Sequence, residues 1–162
     1  MLERLCTSPD DTLAVAAALA DVVRSGDIVV LSGEMGAGKT AFAQGFAAGL
    51  GVDEPVTSPT FTLVHTYATN GSAVGPMHHA DVYRLTTMRE VADLALLELV
   101  EAGGVLLVEW GDVIAASLGD HLDVHLEFVA QDDDQRRLSM TPHGSRWASR
   151  WPAIVSAVES AG

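Results

Sequence analysis

The chain has little cysteine and little positive charge. Its single cysteine, Cys6, excludes a disulfide within the chain and fits a reducing compartment. Only nine lysines and arginines stand against 22 acidic residues, so the formal net charge is −13. Proteins that grip nucleic acid directly usually carry a basic face that matches its phosphates. The composition therefore argues against DNA binding, and it predicts that any contact with RNA passes through a partner protein.

The sequence also lacks long apolar runs. No run approaches the ~20 residues that cross a bilayer, and the segment Met1–Leu5 lacks the basic and apolar regions of a secretory signal. We therefore expect a cytoplasmic protein with no membrane partner. Apolar residues make up 48% of the chain and are spread along its length, which favours one folded domain over residues 1–162.

A glycine-rich loop, Gly33–Thr40, is the most informative segment. It has the pattern G-x-x-x-x-G-K-T and lies between an apolar run, Ile28–Leu31, and a helix-compatible run, Ala41–Leu50. Strand, glycine loop and helix in this order are typical of a phosphate site, because glycines let backbone N–H groups and the helix N-terminus face phosphate oxygens. Lys39 is expected to reach the β- and γ-phosphates and Thr40 to hold Mg²⁺. A loop that merely closes a strand–helix unit is the alternative; the filled pattern and its flanks predict a nucleoside triphosphate site.

The rest of the chain alternates between strand and helix patterns. We predict an α/β fold, a single P-loop NTPase-like domain whose mixed sheet is parallel at its centre, antiparallel at its edge strands and flanked by helices. The first helix is expected to begin after the N-cap Ser8 and to stop before Gly26. The predicted helices span residues 9–25, 41–50, 84–101 and 145–160, the strands 27–31, 61–67, 73–80, 105–108, 122–128 and 136–141, and the turns 70–71 and 132–134.

Two acidic residues follow predicted strands. Asp81 ends an apolar run within the segment His79–Arg84, and Glu109 follows Val105–Val108. The carboxyl ends of parallel strands meet at the edge of the sheet where ligands bind. Asp81 is therefore a candidate Walker-B-like acid, with capping of the following helix as the alternative. Glu109 is a candidate to bind Mg²⁺ or to orient the attacking water. The next residue, Trp110, has three open assignments, which are packing on the nucleotide, on a partner or in the core.

The segment Ser58–Phe61 lies in a loop where P-loop proteins have a switch segment, although a proline-fixed turn explains it equally well.

The histidines form no convincing metal set in the sequence. His78 and His79 are adjacent, so they face opposite sides of a strand. His121 and His125 are four residues apart in a predicted strand, where that spacing does not converge on one ion. We expect histidines on the surface or in positions that support other ligands.

Taken in order, the motifs resemble those of TsaE, a family of small bacterial P-loop ATPases that act in the synthesis of threonylcarbamoyladenosine in tRNA. The family has a glycine loop ending in G-A-G-K-T, followed by S-P-T-[FY], H-x-D-x-Y-R and [IV]-E-W. This sequence carries the motifs in the same order at Gly36–Thr40, Ser58–Phe61, His79–Arg84 and Val108–Trp110. The resemblance extends from about Ser8 to Phe128.

The resemblance implies an ATPase that works with the TsaD and TsaB proteins. Its activity would support the addition of a threonylcarbamoyl group to adenosine 37 of tRNAs that read ANN codons. ATP and Mg²⁺ are the implied cofactors, activity of the protein alone would be low, and tRNA would be reached only through the complex. This role agrees with the acidic composition.

Carried over position by position, the resemblance also implies the site residues. The catalytic residues would be Lys39, Asp81 and Glu109, and the Mg²⁺ ligands Thr40, Asp81 and Glu109. The nucleotide-binding residues would be Ser8, Gly36, Ala37, Gly38, Lys39, Thr40, Ala41, Thr60 and Trp110.

Two other classes of function stay open. A small-molecule kinase would share the glycine loop but needs an arginine-bearing lid, and only Arg84 and Arg89 lie between Thr40 and Val105. A module that holds ATP to stabilise a complex, with little hydrolysis, fits the same motifs. A regulatory GTPase is disfavoured because no N-K-x-D guanine motif is present.

Overall fold

A computed structural model describes residues 1–59 and 63–162. The strands are β1 (Leu2–Cys6), β2 (Ile28–Ser32), β3 (Val64–Tyr67), β4 (Met77–Asp81), β5 (Val105–Glu109), β6 (His121–Val129) and β7 (Asp132–His143). The helices are α1 (Pro9–Ala20), α2 (Lys39–Gly49), α3 (Met88–Asp93), α4 (Leu96–Glu101), α5 (Ser145–Ala148) and α6 (Trp151–Glu159), and two 3₁₀ turns span Gly111–Val113 and Ala115–Ser117. None of the helices in these ranges is long and apolar enough to cross a membrane.

The described strands form one mixed sheet in the order β1-β7-β6-β2-β5-β4-β3. Strand β2 pairs in parallel with β5 and β6, and β5 pairs in parallel with β4. The outer pairs β1–β7, β6–β7 and β3–β4 are antiparallel. The predicted fold class, with a parallel centre and antiparallel edge strands, is therefore confirmed.

Helices cover the central strands on both faces, which explains their continuous apolar sequence. Along β2, Val29 and Leu31 belong to a large core under α1, α2, α5 and α6, whereas Ile28 and Val30 belong to a smaller core under α4 and the 3₁₀ turns. This alternation follows the two-residue period of a strand. In α2, the predicted inner stripe is fully buried in the larger core and comprises Phe42, Phe46, Ala47 and Leu50.

The start of α1 is as predicted, and its end is not. Ser8 caps the helix, because its side chain accepts a hydrogen bond from the N–H of Asp11. The helix ends at Ala20, well before Gly26. The reason lies in Asp27, which is fully buried and accepts hydrogen bonds from the N–H of Arg24 and from the side chains of two arginines of the C-terminal helices. These bonds hold residues 21–27 in a turn.

Two predicted long helices are each divided in two. The segment 84–101 forms α3 and α4, because Ala95 takes a left-handed conformation with φ of 50° that a helix cannot contain. The segment 145–160 forms α5 and α6, with Pro152 in the first turn of α6, where its missing N–H is tolerated.

Two predicted boundaries in the strands are wrong, and one strand was not predicted. The turn between β6 and β7 is at residues 130–131, with Gln131 at φ of 77°, and Asp132–Asp134 lies inside β7. Strand β4 begins at Met77, because Gly75 has φ of 84° and Pro76 lacks an N–H for the ladder. Strand β1 was not predicted, since its pairing partner β7 is distant in sequence.

Candidate functional site

The glycine loop connects the carboxyl end of β2 to the N-terminus of α2. Its first residue, Gly33, has φ of 136°, and a Cβ atom there would lie 2.2 Å from the carbonyl oxygen of Leu126. Only glycine fits this position without displacing backbone. The first helical hydrogen bond of α2 runs from the N–H of Phe42 to the carbonyl of Gly38. The N–H groups of the preceding turn therefore have no partner within the helix and can serve an anion.

The side chain of Lys39 folds back over the loop. Its Nζ donates to the carbonyl oxygens of Gly33 at 2.7 Å and Glu34 at 2.8 Å, and it lies 3.8 Å from the centroid of the Trp110 ring. The residue is 5% exposed. Burial lowers the pKa of Lys39, and the carboxylate of Glu109 is the largest influence that opposes this shift. A buried ammonium bound only to neutral carbonyls is well suited to accept phosphate oxygens in their place.

Asp81 and Glu109 lie side by side at the carboxyl ends of two neighbouring strands. They are direct register partners in the parallel β4–β5 ladder, so their side chains leave the same face of the sheet. Oε1 of Glu109 accepts a hydrogen bond from Oγ1 of Thr40 at 3.3 Å, and Oδ2 of Asp81 accepts one from Oγ of Ser58 at 2.7 Å. Both acids are buried. Hydroxyl and carboxylate oxygens gathered at a phosphate loop are the donor set that Mg²⁺ prefers, so these residues fit that ion.

His79 supports Glu109 from within the core. Its Nε2 donates to Oε2 of Glu109 at 2.7 Å, its side chain is fully buried, and its Nδ1 has no partner in the described part of the chain. Of the two expected positions, His79 therefore has the one in contact with a candidate ligand and not the one on the surface, and the role of Glu109 as a ligand stays a prediction. The spacing in the sequence places His79 on the same face of the strand as Asp81, because residues two apart on a strand share a face, but it does not predict the contact with Glu109 on β5.

The alternative role of Asp81 as a helix cap is wrong. The helix that follows, α3, is capped by Thr87, whose Oγ1 accepts from the N–H of Glu90 at 3.2 Å. The second carboxylate oxygen of Asp81 instead accepts from the N–H of Tyr83 at 2.9 Å, which fixes the turn after β4. Asp81 is thus held on both oxygens, once by Ser58 and once by the backbone.

Trp110 lines the site, and it also packs, half-buried, against the smaller core. Its backbone has φ of 60°, a conformation that costs about 1–3 kcal/mol for a bulky residue. In this conformation the half-buried ring covers Lys39 and packs against Tyr83 with ring centroids 4.7 Å apart. The strain is therefore offset in part by an amino–aromatic contact that closes one side of the loop.

Most of the predicted site residues line one cavity of about 330 Å³ above the loop. The predicted residues in its wall are Gly36, Gly38, Lys39, Thr40, Asp81, Glu109 and Trp110, and Met35, Ser58, Tyr83 and Arg84 complete it. Sequence reasoning did not select Tyr83 and Arg84 individually, although both lie in the motif that contains Asp81.

Three predicted residues lie outside that cavity. Ala41 lines a second cavity of about 140 Å³ on the other side of Gly38, together with Pro9, Thr12, Asp133, Asp134 and Arg136. Ser8 precedes Pro9 and caps α1. Ala37 is fully buried, and its carbonyl accepts from Nε of Arg136 at 3.0 Å. Thr60, with Phe61, lies outside the described residues, and its role stays a prediction.

The sequence is similar to one family of proteins over most of its length. A family model described as threonylcarbamoyl adenosine biosynthesis protein TsaE matches residues 6–138. Proteins described as tRNA threonylcarbamoyladenosine biosynthesis protein TsaE are among its relatives. The one from Bacillus subtilis is 39% identical over 142 residues, which cover 86% of this chain and 85% of the relative. The one from Mycobacterium leprae is 41% identical over 135 residues, which cover 80% and 84% of the two chains.

The fold is also similar to a solved structure. The crystal structure of YdiB, described as from Bacillus subtilus, aligns with a TM-score of 0.77 and 31% sequence identity. The alignment covers 96% of this chain and 94% of that chain. The similarity in sequence and the similarity in structure therefore each extend well beyond the glycine loop.

Proposed function

The chain belongs to the TsaE family of tRNA threonylcarbamoyladenosine biosynthesis, and from this premise we propose that it binds ATP with Mg²⁺ and hydrolyses ATP. In our proposal, hydrolysis supports the formation of the threonylcarbamoyl group on adenosine 37 of tRNAs that read ANN codons. The observation that carries the proposal is the register pair Asp81 and Glu109, which lies beside Thr40 at the mouth of the glycine loop. A loop that only closed a strand–helix unit would need no buried acids at this edge.

Each residue has a chemical task in this proposal. Lys39 exchanges its bonds to the loop carbonyls for bonds to the β- and γ-phosphates. Thr40, Asp81 and Glu109 hold Mg²⁺, which neutralises charge on the phosphates when it is bound. The remaining carboxylate oxygen of Glu109 stays fixed by His79, so the acid has one defined orientation.

The position of the second cavity supports a place for the adenosine. It shares Gly38 with the phosphate cavity and lies beside Ala41 in the first turn of α2. We propose that the nucleotide extends from the main cavity across the start of α2 towards Pro9, which brings it near Ser8. The absence of an N-K-x-D motif in the sequence supports adenine over guanine.

The charge of the chain supports action through partners. A net charge of −13 leaves little basic surface for tRNA, so we propose that TsaD and TsaB provide the contact with RNA and control the rate of hydrolysis. One cysteine, buried and reduced, fits a cytoplasmic setting.

The direct test is cellular depletion followed by mass spectrometry of tRNA hydrolysates. We expect threonylcarbamoyladenosine to fall on depletion and to be restored by the wild-type gene. Glu127→Gln, which neutralises an exposed acid paired with Arg137, should restore it equally well, whereas Glu109→Gln should not. Unchanged modification after depletion would refute the proposed role in tRNA and favour a small-molecule kinase.

A pull-down separates hydrolysis from complex formation. TsaD and TsaB should copurify with the wild-type protein in the presence of ATP and Mg²⁺. If the Glu109→Gln variant captures both partners and also restores modification, ATP acts by assembly alone, and the proposal of required hydrolysis is wrong.

A further inference from the structure

His121, Asp123 and His143 come together at the end of the β6–β7 hairpin that is remote from the glycine loop. Strands β2 and β6 are parallel, and Ser32, the residue before the loop, pairs with His125. His121 lies four residues before His125, about 13 Å further from the loop edge. This group of residues is therefore separate from the nucleotide site.

The register of the hairpin explains why the three side chains meet. His121 and Asp123 are two residues apart on β6 and share a face of the sheet. His143 on β7 is the direct cross-strand partner of His121, and directly opposed residues share a face. Sequence reasoning compared His121 with His125, whose Nδ1 contacts Oγ of Ser32 at 2.8 Å, and missed the partner on the other strand.

The distances within the group are short. Nε2 of His121 lies 3.4 Å from Oδ1 of Asp123, and Nε2 of His143 lies 2.7 Å from Oδ2. One ligand atom from each of the three residues lies within 4.8 Å of the other two. The two imidazole rings are stacked with centroids 4.6 Å apart. Two ring nitrogens and a carboxylate thus lie close together, and the His143–Asp123 pair, now at hydrogen-bond distance, would move apart to hold an ion.

A backbone contact fixes the ring of His121 in the form that binds metals. Its Nδ1 lies 2.6 Å from the carbonyl oxygen of Gly119, and a carbonyl can only accept, so Nδ1 carries a proton. In the neutral ring, Nε2 then presents a lone pair to a carboxylate oxygen of Asp123. Two acceptors that face each other at 3.4 Å repel unless a proton on Nε2 or a metal ion lies between them, so the contact fits a metal site as well as an ion pair. A metal-binding histidine usually donates its other ring nitrogen to a carbonyl in this way.

We propose that His121, Asp123 and His143 form a site for a divalent transition metal of the Zn²⁺ type. Ligands about 2.1 Å from a tetrahedral ion lie about 3.4 Å from each other, which is close to the spacing between His121 and Asp123. Two imidazoles select Zn²⁺ or a similar ion over Mg²⁺ and Ca²⁺. The side chains of Asp123 and His143 are 36% and 45% exposed, so the remaining coordination positions are open to water. The ion would link the start of β6 to the end of β7.

The test is a Zn²⁺ titration of the full chain without a histidine tag and without nucleotide, in competition with a chromophoric chelator. We expect one saturable site per chain and a loss of affinity of about 10-fold or more in His143→Ala, which removes an exposed ligand. The matched control is His125→Ala, which removes a histidine on the same face of β6 that is not one of the proposed ligands. This variant should bind Zn²⁺ as tightly as the wild type does. In parallel, Co²⁺ should give visible absorption bands of nitrogen ligation in the wild type and not in His143→Ala.

The outcomes decide the proposal without reference to ATP turnover. Zn²⁺ should raise the melting temperature of the wild type and of His125→Ala, and it should leave that of His143→Ala unchanged. The proposal is overturned if the wild type shows no saturable site, or if His143→Ala binds Zn²⁺ as tightly as the wild type. An equal loss of affinity in His125→Ala and His143→Ala would also overturn it, since the ion would then bind elsewhere.

Discussion

The helices on the two faces of the sheet differ in how closely they pack. On one face, α1 and α2 approach so closely that a Cβ atom added at Gly45 would lie 2.5 Å from the carbonyl oxygen of Leu13. On the other face, α3 has no buried residue. Met88 of α3 and Leu97 of α4 are 57% and 40% exposed. The glycine loop thus leads into α2 of the closely packed layer. The segment that follows Asp81 leads into α3 of the loosely packed layer.

This difference suggests a division of tasks within the site. Residues with few buried contacts open at low free-energy cost, whereas closely packed helices move as rigid units. Lys39 and Thr40 start α2, which is rigid. Asp81 is followed by Tyr83, Arg84 and the exposed helix α3. We therefore expect the phosphate-binding half of the site to be fixed, and the half near Asp81 to respond to the nucleotide and to partners.

The largest effect is expected where the two halves meet, at Glu109. The Glu109→Gln variant keeps the shape of the side chain and removes its charge. In the proposed function, turnover of ATP should fall about 100-fold or more, because the proposed metal-binding and water-orienting roles both need the carboxylate. The measurement is phosphate release from the purified protein with its partners present. Glu127→Gln is the control for loss of one acid, and full activity of Glu109→Gln would place the chemistry elsewhere.

The second prediction separates binding from stability in the close-packed layer. Burial lowers the pKa of Lys39, so the charged form is disfavoured in the folded protein and the unfolded chain binds its proton more strongly. The contribution of Lys39 to the free energy of unfolding therefore rises with pH between its lowered pKa and the ordinary lysine pKa of 10.5, and its charge adds no stability at neutral pH. Lys39→Met should weaken ATP binding about 100-fold and leave the melting temperature equal or higher.

Calorimetric titration and thermal unfolding of the Lys39→Met protein check this prediction together. The control is Arg89→Met, which removes one positive charge from the exposed helix α3 and should leave ATP binding unchanged. A clear drop in melting temperature for Lys39→Met alone would show that the lysine stabilises the fold.

The residues that sequence reasoning located best are those set by local pattern and by sheet geometry. The glycine loop, Asp81 and Glu109 were predictable because parallel strands deliver their carboxyl ends to one edge. The contact between His79 and Glu109 depends on the register of β4 against β5, which sequence spacing does not define. The position of Trp110 over Lys39 was also not predictable from the sequence, because it results from a backbone conformation that local propensity disfavours.

The elements that were missed depend on distant contacts. Strand β1 forms because β7 offers it an edge, and the pairing joins Leu2 with Met140. The turn after α1 forms because Asp27 is held by Arg146 and Arg150 from the other end of the chain. Tertiary contacts thus end the helical pattern of α1 earlier than the sequence predicts, and they create strand β1, which no local pattern predicts.

The third prediction compares the two layers by stability alone. Gly45→Ala adds one methyl group in α2, and helix propensity by itself would favour it by about 1 kcal/mol. The close contact with Leu13 should reverse the sign and destabilise the protein by about 1–3 kcal/mol. Leu97→Ala removes three carbons from α4 and should cost less than about 1 kcal/mol, because this side chain is 40% exposed. Urea unfolding of both variants measures the difference. A larger cost for Leu97→Ala would reverse the assignment of the tight and loose layers.

The smallest effect is a difference in acid sensitivity between two helix N-termini with similar hydrogen bonds. The N–H and Oγ1 of Thr7 donate to Asp11 of α1, and the N–H groups of Thr86 and Thr87 donate to Glu90 of α3. These bonds lower the pKa of each carboxyl group. A carboxyl group whose pKa is lower in the folded protein stabilises the fold at every pH above its pKa in the unfolded chain. That stability is lost as the pH falls through its pKa in the folded protein.

Both carboxylates should therefore be protonated only at acidic pH, below the ordinary range of Asp and Glu, but the consequences differ between the layers. Helix α1 keeps its buried contacts, including Val15 and Leu19, whereas α3 has no buried residue and, besides its cap, packs on the smaller core through the partly buried Val91. Hydrogen exchange, expressed as protection relative to the intrinsic rate at each pH, should show α3 opening first while α1 stays protected. In Glu90→Gln the amides of α3 should exchange readily at pH 7 already, with no further acid-induced step. Equal loss of protection in α1 and α3 would mean that caps, and not the buried layer, set the stability of both helices.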